Sequence, residues 1–395
     1  MDAPAAPPWP QAGGWRERLH ARLDALLASA RFRRWAAAFP LTRPIARRRA
    51  AALFDLVSGF VYSQVLLACV RLELFELLAA EGPQDVDALA PRLALPPDAA
   101  SRLLDAAVAL RLLVRRGGRY ALGPLGAALV GNEAVRAMVE HHAPFYQDLQ
   151  DPVALLRRGT GSGALAAYWG YAGSEPPERL SAERVARYSA LMSASQPLIA
   201  DEVLDAYRMD QRRCLLDVGG GEGTFLCAAA RRAPELGVVL FDLPAVADRA
   251  RARFAAEGLT GRARSVGGSF RTDPLPAGAD TVSLVRVLHD HDDDTVRNIL
   301  RAVRRVLPPD GELLIAEPMA GLPGVAPMAD AYFGFYLMAM GRGRARTPQR
   351  LGELLREVGF DGGRLVPTRL PIQTALLVAR PVVVAADPGP GVTSA

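Results

Sequence analysis

The chain has 395 residues and no lysine; all 47 of its basic Lys/Arg positions are arginine. Its cationic contacts are therefore made by planar, weakly hydrated guanidinium forks that pair bidentately with carboxylates and phosphates. Cysteine is scarce. Cys69, Cys214 and Cys227 lack metal-site spacing, and the last two flank a glycine loop in strand-like and helix-like segments. That pattern fits reduced packing residues in a cytoplasmic protein and argues against a disulfide framework. The N-terminus lacks the charged region, apolar core and cleavage site of a signal peptide. No uninterrupted apolar run reaches membrane-spanning length; the longest candidate, around Val65–Val70, is broken early. With 50% hydrophobic and 23% charged residues, the remainder reads as globular, with length for two domains and an ample core.

Acidic residues are also scarce at the start. The net charge is +5, yet residues 1–50 oppose ten arginines, from Arg16 to Arg49, with only Asp2, Glu17 and Asp24. Residues 1–14 are Pro/Ala/Gly-rich and read as disordered. Trp15, Leu19, Leu23, Leu26 and Leu27 then recur at helical spacing, and Phe32, Trp35 and Phe39 follow among more arginines. Such a basic, aromatic-bearing arm suits either the surface of an anionic membrane or a dimer partner. Residues 51–80 carry helical patterns. Residues 85–125 read as a winged-helix-like unit: a helix over Asp85–Leu93, a second from Pro96 to Leu113, and a hairpin Val114–Leu122 around Gly117-Gly118. Further helices fit 133–158 and 181–207.

From Cys214 the pattern alternates strand and helix. Strands fit 213–218, 237–241, 262–267, 280–287 and 311–316; helices fit 224–232, 244–257, 294–307 and 347–358. Leu365–Arg369 and Thr374–Ala379 fit a closing strand pair. This is a doubly wound, Rossmann-like α/β domain. The organisation expected is an arm over 1–50, a helical domain over 51–207, a cofactor-binding catalytic domain over 208–386 and a disordered tail over 387–395.

The first of these strands ends Asp217-Val218-Gly219-Gly220-Gly221-Glu222-Gly223, where the backbone turns tightly into a helix and something must approach it closely. The second ends in Asp242, 25 residues on, placed to accept hydrogen bonds from a ribose diol or to cap the following helix. The spacing Gly219-x-Gly221-x-Gly223 departs from the G-x-G-x-x-G dinucleotide fingerprint and favours S-adenosylmethionine. Ser269 and Phe270, after the third strand, would face the adenine. Arg286, at the end of the fourth strand, joins the cofactor-binding set.

Carboxyl ends of parallel strands are where an open α/β sheet builds its site. His289 follows the fourth strand as a candidate general base. Glu317 ends the fifth and is expected beside it, orienting the imidazole and stabilising the imidazolium. Asp292–Asp294 fit a helix N-terminus; a metal site built from His289, Asp290, His291 and these acids is the competing reading, and no metal is expected. The aromatic segment containing Tyr332, Phe333 and Tyr336 reads as core or as the wall of an apolar acceptor pocket.

In this order the motifs resemble the plant-type S-adenosylmethionine-dependent O-methyltransferases. The matching stretches are Asp217–Gly221, Phe241–Pro244, Val266–Gly268, Leu288–Asp290, Ala316-Glu317 and Arg346-Thr347, and the resemblance spans roughly residues 50–380. It implies a class I methyltransferase domain preceded by a winged-helix-like dimerisation domain, an intertwined homodimer, His289 as base and Glu317 as its flanking acid. Tyr188–Met192 resembles the helix whose methionine lies near methyl donor and substrate, which adds Met192 to the acceptor site. There are departures: Ser269 and Ala345 stand where many members have acids, and His291 where many have tryptophan. Trp35–Arg49, Phe60–Leu66 and Met138–His142 resemble more narrowly the carotenoid hydroxyl O-methyltransferases of purple photosynthetic bacteria, which implies a tertiary hydroxyl on an acyclic carotenoid as acceptor and peripheral contact with the photosynthetic membrane. Three alternatives stay open: a phenol-directed O-methyltransferase, a winged-helix nucleic-acid binder using Arg102, Arg111, Arg115, Arg116 and Arg119, and an NAD-dependent dehydrogenase. No nucleic-acid partner is expected on the preferred reading.

Overall fold

The computed structural model describes residues 14–161, 163–168, 195–371 and 374–382. The chain divides into two compact units, Met1–Val130 and Gly131–Ala395.

The first unit opens with helices α1 (Trp15–Ala28) and α2 (Ala30–Ala38), separated by Ser29, whose hydroxyl caps α2. Helix α3 (Arg43–Arg71) then runs unbroken for 29 residues. An 18-residue window of α3 has mean hydropathy 1.8, so by length and composition the helix is able to cross a membrane, and only 11% of that window is buried. Asp55, Ser58, Gly59, Ser63 and Gln64 interrupt the apolar run in sequence without breaking the helix. Leu53, Phe54, Leu56, Val57 and Phe60 stand exposed along it. After α4 (Leu74–Glu81), Asp85 caps α5 (Val86–Arg92), and α6 (Pro97–Ala109) leads into a hairpin of β1 (Leu113–Arg116) and β2 (Arg119–Leu122). The hairpin turns on Gly117 and Gly118, both at positive φ, the chemistry a two-residue turn requires. The short helix α7 (Pro124–Ala127) closes the unit.

The second unit begins with α8 (Glu133–His141), α9 (Ala143–Asp148) and α10 (Pro152–Arg158), where one helix over 133–158 is expected. Pro144 and Pro152 each start a new helix, since proline suits a first turn and not an interior. Helix α11 (Ala164–Tyr168) follows, and residues 195–206 are helical (α12); Tyr188–Met192 lie outside the described residues.

The sheet has β3 (Cys214–Val218), β4 (Gly237–Asp242), β5 (Ala263–Gly267), β6 (Thr281–Val285), β7 (Glu312–Glu317), β8 (Arg364–Val366) and β9 (Ala375–Ala379). Their order is β5-β4-β3-β6-β7-β9-β8, with β9 antiparallel to both neighbours. Crossover helices are α13 (Thr224–Arg232), α14 (Pro244–Ala256) and α15 (Asp293–Val306); α16 (Phe333–Met340) and α17 (Pro348–Glu357) follow β7. Strands β6 and β7 are buried along their full length, as parallel strands covered on both faces must be. One core packs α15 and α17 on one face of the sheet, the other packs α12, α13 and α14 on the opposite face. The strand order reverses between β3 and β6, and a ligand crevice belongs at that point.

Candidate active site

The β3 turn and the end of β4 are tied together. Gly219 donates its N–H to the Phe241 carbonyl (2.8 Å), and Asp242 accepts from the N–H groups of Gly221 (2.8 Å) and Leu243 (2.7 Å). Asp242 therefore cinches the glycine loop from the end of the neighbouring strand β4. It does not cap α14, whose N-cap is Leu243 without a side-chain bond. Burial pushes the Asp242 carboxyl up to about 6. Asp217 lies beside Ser283 in register, and the Ser283 hydroxyl donates to its Oδ1 at 2.6 Å. Burial, with the nearby Asp242 carboxylate adding to it, pushes Asp217 up to about 7, and its Oδ2 has no partner. A Cβ on Gly220 would sit 2.3 Å from that oxygen, so a bare backbone is required there. A Cβ on Gly221 would meet nothing within 4 Å; this face of the loop opens toward the crevice.

Phe270 packs at the edge of this loop, near Gly219, with its ring edge-on to His291 at 5.4 Å. The Ser269 hydroxyl accepts from the Arg271 N–H (3.3 Å), while its own N–H donates to Asp273 (2.8 Å). Asp273 thus supplies a carboxylate to the turn that carries Ser269. Arg286 has φ of 58°, a left-handed backbone unusual for a side chain of its size. Its guanidinium donates to the Ser195 hydroxyl at 2.7 Å.

His289 sits in a single 3-10 turn, Leu288–Asp290, after β6. Its Nε2 lies 3.1 Å from Asp290 Oδ1, and its Nδ1 lies 3.6 Å from Glu317 Oε2. Glu317 reaches His289 chiefly through the main chain, accepting its backbone N–H at 3.0 Å. Burial lowers the imidazole's basicity, but the Asp290 and Glu317 carboxylates outweigh it and leave the pKa above the ordinary histidine value. Asp292 caps α15 through the Thr295 N–H (2.9 Å). Among the described residues, no group of three or more His, Cys, Asp or Glu side chains is placed to hold a metal ion.

Arg346 and the segment before it were visible in the sequence only as half of an Arg-Thr pair. The guanidinium is fully buried, donating to the carbonyls of Leu288 (2.8 Å) and His291 (2.6 Å) and to Asp293 (2.8 Å). It thereby grips both ends of the turn that carries His289. The Arg344 N–H donates to the His289 carbonyl (2.8 Å), and a Cβ on Gly343 would lie 2.2 Å from that carbonyl. This arrangement depends on contacts about 55 residues apart in the chain, beyond the reach of local pattern.

The aromatic segment after β7 includes a π-helical turn, Pro327–Tyr332, running into α16. Such turns re-aim side chains at functional sites. Phe333 stands edge-on to the His289 ring at 6.3 Å, and Tyr332 packs on Phe333 at 5.0 Å and on Tyr336 at 5.5 Å. The structure thus brings Asp217, Gly219, Gly221, Asp242, Phe270, Arg286, His289, Glu317, Tyr332, Phe333 and Tyr336 to the carboxyl edge of one sheet or the aromatic segment next to it. Met192 lies outside the described residues.

Comparison with known proteins bears on this geometry. A family model described as an O-methyltransferase domain matches residues 146–361, and one described as an O-methyltransferase dimerisation domain matches residues 54–132. A demethylspheroidene O-methyltransferase of Cereibacter sphaeroides is 44% identical over 362 residues, covering 90% of this chain and 94% of its own. A 3-hydroxy-5-methyl-1-naphthoate 3-O-methyltransferase of Streptomyces sahachiroi is 32% identical, covering 80% of this chain and 90% of its own. Human N-acetylserotonin methyltransferase, solved in complex with SAM, superimposes with a TM-score of 0.70 at 25% identity, covering 85% of this chain and 98% of that one. The chain belongs to the O-methyltransferase family, with a helical dimerisation domain preceding a methyltransferase sheet.

Proposed function

We propose that this O-methyltransferase moves the methyl group of S-adenosylmethionine to the tertiary 1-hydroxyl of an acyclic carotenoid, in spheroidene-type carotenoid biosynthesis of a photosynthetic bacterium. The reaction rests on one observation: a buried histidine at a strand end, flanked by two carboxylates, beside an aromatic wall and next to a glycine loop whose open face needs a ligand. The acceptor rests on the 44% identity with a demethylspheroidene O-methyltransferase over nine-tenths of the chain.

The residues present fit the cofactor. The Gly219–Gly223 loop, the Asp242 carboxylate and the Phe270 ring line the crevice, with Ser269 at its adenine end and Arg286 at the other, while the fully buried Asp217 stands directly under Gly220. Bound there, S-adenosylmethionine supplies an electrophilic methyl on a sulfonium. His289 takes the acceptor's hydroxyl proton at Nε2, the position Asp290 holds in this structure. Prior deprotonation of an aliphatic alcohol near ~15.7 by a histidine near ~6.5 would cost roughly 12 kcal/mol. The proton therefore leaves as the new bond forms, and the raised basicity of His289 helps that transfer. Tyr332, Phe333 and Tyr336 form the acceptor side, and holding donor and acceptor in line supplies much of the remaining acceleration.

The dimerisation domain supports a homodimer, with the winged-helix-like α5–α6 hairpin unit serving association. The bare apolar side of α3 supports the same reading. Residues before 54 lie outside that domain. There Trp15, Trp35 and Phe39 stand exposed among arginines, which supports peripheral contact of a cytoplasmic enzyme with an anionic membrane. A phenolic acceptor is the second reading, favoured by the naphthoate-directed relative. Incubation with labelled S-adenosylmethionine and membranes carrying hydroxylated carotenoids should give a methoxy product; label appearing only in phenolic controls overturns the carotenoid assignment.

A further inference from the structure

Two histidines of the second unit meet two tyrosines of the aromatic segment. The His141 Nε2 lies 2.5 Å from the Tyr336 hydroxyl, and the His142 Nε2 lies 2.8 Å from the Tyr332 hydroxyl. The first pair is buried; the second is half-buried and lies on the side of Phe333, whose ring meets His289. Chemistry fixes the direction of the outer bond. The His142 Nδ1 is hydrogen-bonded to the Met138 carbonyl, which only accepts, so Nδ1 carries the hydrogen. Burial keeps this imidazole neutral by lowering its pKa. Its Nε2 is then an acceptor, and Tyr332 spends its only O–H on it.

We propose that His142 and Tyr332 are specificity-determining residues that mask one another: joined, they present ring surface and no spare hydrogen-bonding group of their own to the acceptor. This deepens the proposed function, on which it rests. An acceptor whose hydroxyl carbon carries only hydrocarbon loses nothing against such a wall. A diol or a phenol whose second polar group faces this pair finds no partner in it, which is costly. The pair thereby selects an apolar alcohol, and the same bond ties α9's N-terminal end to the π-helical turn.

Masking makes a prediction that simple structural support does not. His142→Phe frees the Tyr332 O–H, and Tyr332→Phe frees the His142 lone pair. Each single change gives a polar-substituted acceptor a partner, so the ratio of kcat/KM for a catechol to that for a tertiary polyene alcohol should rise about tenfold or more. His142→Phe/Tyr332→Phe together restore an apolar wall, and the ratio should return near the wild-type value. Single variants that leave the ratio unchanged, or a double variant that stays as permissive as the singles, overturn the proposal. Thermal unfolding of the ligand-free proteins gives a readout independent of any acceptor: each single should melt below the wild type, and the double above the worse single. If the wild type refuses the tertiary alcohol altogether, the carotenoid reading fails, while the unfolding cycle still judges the pair.

Discussion

The Nε2 of His289 is 3.1 Å from Oδ1 of Asp290, the residue that follows it in the chain. His289 is therefore held at one ring nitrogen by the Asp290 carboxylate, and Glu317 faces the other. Both acids favour the imidazolium, so the free enzyme's base titrates above the ordinary value of ~6.5. The acid limb of a kcat/KM profile should lie correspondingly high. Asp290→Asn removes one of the two acids and should move that limb to lower pH; a profile unchanged in position would show that Asp290 does not act on the base. His289→Ala should lower turnover by at least about 10²-fold while S-adenosylhomocysteine binding, read by calorimetry, survives.

Arg346 is the strongest candidate for a residue that acts through the base's main chain. Arg346→Met removes the buried guanidinium from the Leu288 and His291 carbonyls and from Asp293, which keeps only Arg350 as its cationic partner. Loss of one partner of a buried pair costs about 3–5 kcal/mol, so denaturant unfolding should show a large drop in midpoint. Arg346→Lys keeps the charge but cannot span both carbonyls and Asp293 with one planar fork, and kcat should fall more than cofactor affinity. Equal kcat in the lysine variant and the wild type would remove Arg346 from the positioning of the turn.

That residue also marks where the sequence stopped being informative. The β3–β7 strands, α13, α14, α15 and α17 follow from apolar runs bounded by glycines, prolines and capping side chains, all local signals. Asp217, Asp242, His289 and Glu317 could be singled out because each stands at or just beyond the carboxyl end of a strand. The placement of Arg346 between two carbonyls, the strained backbone of Arg286 and the cinching of the glycine loop by Asp242 depend on chain segments that meet only after folding. The continuity of α3 was hidden for a different reason: residues that interrupt apolar composition need not interrupt a helix whose other turns are intact.

Asp217 gives a sign-defined effect of pH. Burial raises its folded-state pKa to about 7, above the unfolded value of ~3.9. The folded state thus holds a proton between these values that the unfolded state has lost. This carboxyl's contribution to ligand-free stability therefore falls as pH rises from about 4 to 7, and the full penalty stands above that range. Asp217→Asn removes the penalty while its amide oxygen still accepts from Ser283. The variant should be more stable than wild type at pH 8, by no more than about 4 kcal/mol, and should lose that advantage by pH 4. A variant less stable at pH 8 would refute the assignment.

The arm can be tested by charge. Arg47, Arg48 and Arg49 are exposed on the first turns of α3. Each basic side chain near an anionic bilayer contributes about 1 kcal/mol, so replacing all three with glutamine should weaken sedimentation with phosphatidylserine vesicles by about 10²-fold at low salt, with little loss on neutral vesicles. Unchanged binding would assign the arm to the dimer partner.

The glycine loop divides into packing and ligand-facing positions, which spacing alone does not distinguish. Gly223 has φ of 78°, and a Cβ there would lie 2.6 Å from the Phe254 ring. Gly223→Ala therefore adds a clash to a left-handed backbone and should destabilise the ligand-free protein by roughly 2–4 kcal/mol. Gly221 has φ of 60° and open space where a Cβ would be. Gly221→Ala bears only the backbone penalty, about 1–2 kcal/mol, yet its methyl projects into the crevice and should cost cofactor affinity tenfold or more by the close-approach argument for such loops. Opposite orders in unfolding and in S-adenosylhomocysteine titration are the expected signature. If Gly221→Ala binds cofactor as the wild type does, the open face of the loop is not where the cofactor lies.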